Sequence, residues 1–205
     1  FEEGANFIPH FGVFKAGSKT RPVLDCAAKP FAGAKSVNDN LMPGPNYIND
    51  VPAVLTRFRS KRVALGADVE AMYLQVHLKE EDKKYYRFLW VDEKEKLIVL
   101  EFDRHAFGVR DSGCCAVYVV RHVAKNMKEE CPLAYEAIHK AAIMDDIATS
   151  EDDEEKCARL LEELKKVHGG AGMKLHKISS SSEKIMELIP PALRAKTIEF
   201  ESKEE

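Results

Sequence analysis

Two apolar runs in this chain each carry aspartate where a strand is expected. One is Ile143-Met144-Asp145-Asp146-Ile147-Ala148, with an acid pair; the other, far upstream, is Val63-Ala64-Leu65-Gly66-Ala67-Asp68-Val69. Carboxylates are rarely buried unless they are paired or bind metal. Two strands with embedded acids therefore predict one site assembled from both. Converging carboxylates suit two-metal phosphoryl transfer. An Asp-Asp pair alone is more often an exposed turn, and His139-Lys140 just upstream fits a solvated edge. The apolar flanks and the distant Asp68 shift the reading toward a site.

At 205 residues, the chain is long enough for one large domain or two small ones. Its 45% hydrophobic and 32% charged content is that of an ordinary globular protein. No apolar stretch is long enough to span a membrane, and no basic-then-apolar leader precedes the first strand. A chain that begins at Phe1 is expected to be a piece of something longer. Its cysteines are Cys26, Cys114, Cys115, Cys131 and Cys157, with no CxxC pair and no Cys/His cluster. They predict reduced thiols in an intracellular protein without structural zinc. A formal net charge of −3 is not the signature of a non-specific nucleic-acid binder. The charge is uneven, however. Lys15, Lys19, Arg21, Lys29, Lys35, Arg57, Arg59, Lys61 and Arg62 crowd the early segment, and acidic runs lie at 151–155 and 199–205. A polyanion can dock on the first part while the total stays negative.

The local pattern predicts strands at 7–14 and 21–26, joined as a hairpin with a basic tip. Residues 27–50, rich in Pro, Gly and Asn, predict an ordered loop, and 51–58 a short helix capped by Asp50. Residues 63–69 read as a strand covered on both faces, because the apolar run is continuous. A turn or short helix at 71–76 and a hairpin of 86–91 with 96–102 follow. A long helix starts near Asp111 or Ser112 and runs to about Lys128, with another helical segment at 133–140. Residues 141–149 predict two short strands turning at the acids. Ser150 is expected to cap the next helix, which Gly169-Gly170-Ala171-Gly172 stops, before a strand at 173–178. Strands and helices with long-range pairing make the class α+β.

Taken in order, these segments resemble the reverse transcriptases of retroelements. Arg21-Pro22-Val23-Leu24-Asp25 resembles their fingers motif, and Ala67-Asp68-Val69-Glu70-Ala71-Met72-Tyr73 their first catalytic palm motif. Phe107-Gly108-Val109-Arg110-Asp111-Ser112 is similar to the loop before the template-facing helix. Met144-Asp145-Asp146 resembles the second catalytic motif, and Gly169-Gly170 through Lys174-Leu175-His176-Lys177 the next palm motif. Asn38-Asp39, Met42-Pro43-Gly44-Pro45-Asn46, Glu70-Ala71-Met72 and Arg87-Phe88-Leu89-Trp90 are similar to one branch, the BEL/Pao long-terminal-repeat retrotransposons. Each motif alone is weak, and five in order are specific.

The resemblance implies a right-hand polymerase fold, with fingers at 1–62, palm at 63–180 (fingers elements near 78–102) and a tail at 181–205 leading toward a missing thumb. It implies an RNA-directed DNA polymerase that adds dNTPs to a primer 3′-hydroxyl with two Mg2+ ions, or Mn2+. Asp68 and Asp145 are then metal ligands, Asp146 the adjacent acid, and the Val69 carbonyl a further oxygen. Arg21 and Lys15 meet the triphosphate, and Tyr73 lies beneath the sugar, where it excludes a 2′-hydroxyl. Phe107 and Gly108 line the nucleotide pocket. Lys177 is the candidate general acid, with Lys174 behind it, and Gln75 a template contact. Partners would be an RNA or DNA template-primer and the thumb, RNase H and integrase of a polyprotein, in cytoplasm or a virus-like particle.

Three positions depart from the family. Ile143 replaces its usual aromatic residue, Gly113 its proline and Val117 its asparagine. They motivate a second reading, an inactive or domesticated retroelement relic that folds without polymerising. A metal nuclease or interaction module is a third, resting on the acid cluster alone.

Overall fold

A computed structural model describes residues 6–14 and 20–196. In chain order the elements are β1 (His10–Val13), β2 (Arg21–Leu24), α1 (Val37–Asn40), α2 (Val51–Phe58), β3 (Val63–Val69), α3 (Glu80–Lys83), β4 (Arg87–Val91) and β5 (Leu97–Glu101). They continue with α4 (Ser112–Asn126), α5 (Pro132–Lys140), β6 (Ala142–Ile143), β7 (Asp146–Glu151), α6 (Glu154–Gly170), β8 (Leu175–Ser180) and α7 (Glu183–Glu187). Single 3-10 turns lie at Met72–Gln75 and Pro191–Leu193. The expected α+β class holds, and its strand ladders are antiparallel. Among the described residues, no helix is long and apolar enough to cross a membrane.

Two compact units divide the chain. Phe1–Tyr47 with Ala71–Tyr118 forms the first, and Ile48–Glu70 with Val119–Glu205 the second. This differs from the expected spans 1–62, 63–180 and 181–205. Residues 48–62 belong with the second unit because α2 is bonded into it. Arg57 Nη1 donates to the Lys140 carbonyl at 2.7 Å, Ser150 Oγ to the Arg57 carbonyl at 2.9 Å, and Asn49 Nδ2 to the Ala142 carbonyl at 2.7 Å. The start of the expected tail is packed as well, with Ile185 and Ile189 buried and the Ala195 amide on the Ile178 carbonyl. Residues 197–205 lie outside the described residues.

The first unit is built on two antiparallel strand pairs, β1–β2 and β4–β5, as expected. Ile8, Leu24, Cys26, Tyr86, Ala106 and Val109 form its core. The loop expected at 27–50 contains one helical turn, α1, held by a capping box between Ser36 and Asp39.

The second unit holds a four-stranded sheet of order β6-β7-β3-β8. Its central strand, β3, alternates: Val63, Leu65, Ala67 and Val69 are buried, whereas Ala64, Gly66 and Asp68 are half-exposed. The expectation of a strand covered on both faces was therefore wrong. Small apolar residues on the open face had made the run look continuous. On the closed face lies α6, whose Cys157, Leu160, Leu161, Leu164 and Val167 recur at helical spacing. Asp153 caps α6, accepting from the Lys156 amide at 2.8 Å, in place of the expected Ser150, which extends β7 and bonds α2. Asp50 caps α2 as expected, accepting from the Ala53 amide at 2.9 Å.

No side chain of its own caps α5. Glu163 of α6 does so instead, accepting from the Leu133 and Ala134 amides at 2.8 and 3.1 Å while Arg159 holds its other oxygen at 2.9 Å. Glu163→Ala strands two amides at a largely buried helix end, and should lower unfolding free energy by about 1–3 kcal/mol in urea melts. A loss within experimental error would show that the cap does not stabilise this helix pair.

Candidate active site

The acid pair stands at the tip of the β6–β7 hairpin. Ile143 pairs with Asp146, which leaves Met144-Asp145 as a two-residue turn, as the sequence had suggested. Met144 takes a φ of +56°, a conformation that costs a non-glycine residue roughly 1–2 kcal/mol. The turn is pinned to β3 by the Val69 amide, which donates to the Asp145 carbonyl at 2.8 Å. In the β3–β7 ladder Asp68 lies directly opposite Asp146. Three aspartates from two distant segments therefore lie at one end of the sheet. They are not buried, contrary to the expectation drawn from their apolar flanks. Asp145 and Asp146 are exposed, and the Asp68 side chain keeps 19% of its surface. Ala67, Val69 and Ile147 face the core because strand side chains alternate, and Asp68 and Asp146 take the open side.

On its other edge β3 pairs with β8, where the register slips. Gly66 faces Ser179, but Asp68 faces His176, so Lys177 and Ile178 together oppose Ala67. This is a β-bulge, and Lys177 carries its positive φ, +48°. The bulge puts His176 and Lys177 on the open side together, between the buried Leu175 and Ile178. Lys177 Nζ then reaches Asp68 Oδ2 at 2.5 Å. His176 Nδ1 lies 3.4 Å from Asp68 Oδ1, but without hydrogen-bond geometry, so that nitrogen is buried and unsatisfied. His176 was not among the expected site residues. Its opposition to Asp68 depends on a register the sequence does not display.

Partial burial, then the charges of Asp145 and Asp68, push the Asp146 carboxyl above its ordinary range, against the pull of Lys177. A cluster of like charges of this kind suits a divalent cation. Its donors are hard carboxylate oxygens, which fit magnesium or manganese. Lys174 is exposed.

In the first unit, Tyr73 and Phe107 place their ring centres 5.2 Å apart. Gly108 has a φ of +96°, and a Cβ there would come within 2.1 Å of the Leu24 carbonyl oxygen, so only glycine fits. Asn38 holds this loop, donating from Nδ2 to the Gly108 carbonyl and accepting at Oδ1 from the Arg110 amide, both at 2.9 Å. Gln75 ends the 3-10 turn that begins at Met72. Arg21 opens β2 opposite Val13. Lys15 and Lys19, with the expected basic tip, lie outside the described residues.

One grouping was absent from the sequence reading. His105, Asp111 and Cys115 bring three ligand-type atoms within 4.8 Å of one another, which the three aspartates do not. The spacing of Asp111 and Cys115, one helical turn, was the available signal.

No family model and no curated relative matches the sequence. Solved structures do match. One is the foamy viral protease-reverse transcriptase dRH in complex with double-stranded DNA, at 19% identity and a TM-score of 0.62, covering 82% of this chain and 26% of that one. Another is the prototype foamy virus protease-reverse transcriptase CSH mutant, at 18% identity and a TM-score of 0.61, with 82% and 20% covered.

The fold is similar to part of a viral reverse transcriptase.

This chain spans about a quarter or less of the length of those reverse transcriptases.

An acid whose value is raised by folding holds its proton more tightly folded than unfolded. Its ionisation therefore costs stability, a cost absent below the ordinary carboxylate value and complete above the raised one. For Asp146 partial burial and then the charges of Asp145 and Asp68 are the causes, and a neutral amide escapes both, so Asp146→Asn should melt slightly higher than the parent at pH 7. The two should converge below about pH 3. Equal melting temperatures at both pH values would show that neither burial nor the neighbouring acids penalise an ionised Asp146.

Proposed function

We propose that this chain is the fingers and palm portion of an RNA-directed DNA polymerase from a retroelement polyprotein, of BEL/Pao type. The observation that carries the proposal is the register placing Asp68 opposite Asp146, with Asp145 at a turn tied to Val69. Similarity of fold to viral reverse transcriptases supports it. The second unit supplies the palm, and the first, with its two strand pairs, the fingers. The thumb and RNase H lie elsewhere in the polyprotein, as does the integrase. The right-hand arrangement follows from the same reading.

Asp68 and Asp145 would hold two magnesium ions, with Asp146 beside them and the Val69 carbonyl as a further oxygen. The chemistry such ions would supply is a lowered pKa for the primer 3′-hydroxyl and charge to offset the triphosphate. The chain's own residues do the positioning. Tyr73 and Phe107 present a ring surface to the sugar of an incoming dNTP. Gly108 lets the nucleotide approach the backbone. Arg21 and Lys15 neutralise the triphosphate, arginine by a two-pronged grip and lysine as a point charge. Lys177 holds a proton at Nζ and delivers it to the leaving pyrophosphate oxygen. Its contact with Asp68 keeps that ammonium beside the acids. An RNA or DNA template-primer is the macromolecular partner.

Incorporation of dNTPs on a primed RNA template with magnesium tests this, using the chain joined to its thumb. Asp68→Asn and Asp145→Asn should each lower the rate by about a thousandfold or more, since ion binding contributes several kcal/mol. Lys177→Ala should cost about a hundredfold. Full activity in Asp145→Asn would refute the site. No activity in a well-folded parent would select an inactive relic, the reading that Ile143, Gly113 and Val117 motivate.

A further inference from the structure

We propose that His105, Asp111 and Cys115 form a binding site for a thiophilic divalent cation of the zinc class, separate from the aspartate site and independent of the polymerase reading. The residues lie in the first unit, where the chain enters α4. Asp111 and Cys115 are one helical turn apart, and the Cys115 amide donates to the Asp111 carbonyl at 2.9 Å. Their side chains therefore share one face. His105 comes from the other side of the Phe107–Gly108 loop. Its backbone is fixed by the His105 amide on the Val76 carbonyl, at 2.9 Å.

Three observations favour a ligand. The candidate donor atoms, an imidazole nitrogen, a carboxylate oxygen and a thiol sulfur, all lie within 4.8 Å of one another. His105 Nδ1 stands 3.7 Å from Asp111 Oδ1. Two donors on a tetrahedral zinc lie roughly 3.3–3.5 Å apart, so small side-chain movements complete the geometry. Second, Asp111 Oδ1 is buried without a hydrogen-bond partner. A carboxylate oxygen stripped of water and left unpaired is costly, and a cation at this position relieves that cost. Third, the His105 side chain keeps only 8% of its surface, so this donor is already desolvated and held in place.

The donor chemistry selects the metal. A thiolate with an imidazole favours zinc or cobalt over magnesium, whose preference is for oxygen alone. Carboxylate and thiolate together balance the ion's two charges. Ser112 does not complete the set, because its hydroxyl donates to the Ala106 carbonyl at 2.8 Å; its oxygen also lies 3.4 Å from His105 Nδ1, a contact the ion would replace, and the fourth ligand is water. A bound ion clips His105 to the start of α4 and closes the loop that carries Phe107 and Gly108.

Cobalt titration of the purified chain reads this directly. The expected result is one cobalt per chain with tetrahedral visible bands and a thiolate-to-cobalt charge-transfer band, displaced by zinc. Cys115→Ser should remove the charge-transfer band. Both Cys115→Ser and Asp111→Asn should bind at least about a hundredfold more weakly. Cys114→Ser, with the neighbouring thiol removed, should bind as the parent does. Zinc should raise the melting temperature of the parent and of Cys114→Ser, but not of Cys115→Ser. Cobalt bound with weak octahedral bands and no charge-transfer band would place the ion on carboxylates alone and overturn the proposal. So would binding unchanged in both Cys115→Ser and Asp111→Asn, or a charge-transfer band lost with Cys114 rather than Cys115.

Discussion

The double pairing of β3 is the constraint on which the rest of the second unit depends. One strand is read from both sides, by β7 and by β8, and both registers include Asp68. Strand side chains alternate, so a slip of one residue in β7 would send Asp146 to the core face, and one in β8 would turn His176 away from Asp68. The buried series Val63, Leu65, Ala67 and Val69 against α6 makes such a slip expensive. The same packing that stabilises the sheet therefore fixes which carboxylates meet. Gly66 belongs to this constraint, because a Cβ there would lie 2.9 Å from Ser179 Oγ.

Two local distortions sit on that regular frame, and both face the acids. Met144 accepts a left-handed backbone so that the hairpin can turn in two residues. Lys177 accepts another so that β8 can carry an extra residue. Neither position is glycine, so each conformation has a cost that the surrounding ladders over-determine. The second has an electrostatic consequence. It aims an ammonium at Asp68, in a place where Asp145 and Asp146 already oppose further negative charge.

Much of the secondary structure was legible because it depends on neighbours in sequence. The β4–β5 hairpin, the helix after Phe107-Gly108 and the Asp50 cap each rest on interactions spanning a few residues. Errors arose where the deciding partner was remote. Ser150 read as a helix cap, yet it bonds the Arg57 carbonyl from α2. Residues 48–62 read as part of the first segment, yet their partners lie at 140–150. The open face of β3 read as buried because small side chains do not reveal which side they face. His176 beside Asp68 and the His105, Asp111 and Cys115 group were missed for the same reason.

The sequence by itself determined the aspartates and their strand context, the glycine at position 108 and the mixed helix–strand class. These follow from residue chemistry and short-range periodicity. Tertiary structure alone decided that Asp68 stands opposite Asp146, that Lys177 turns toward it, and that His105 lies near Cys115. The first two depend on ladder register and a bulge, properties of two strands jointly. The third depends on a loop closing back on a helix. Residues 78 and 109 positions apart meet only after the chain has buried its apolar faces.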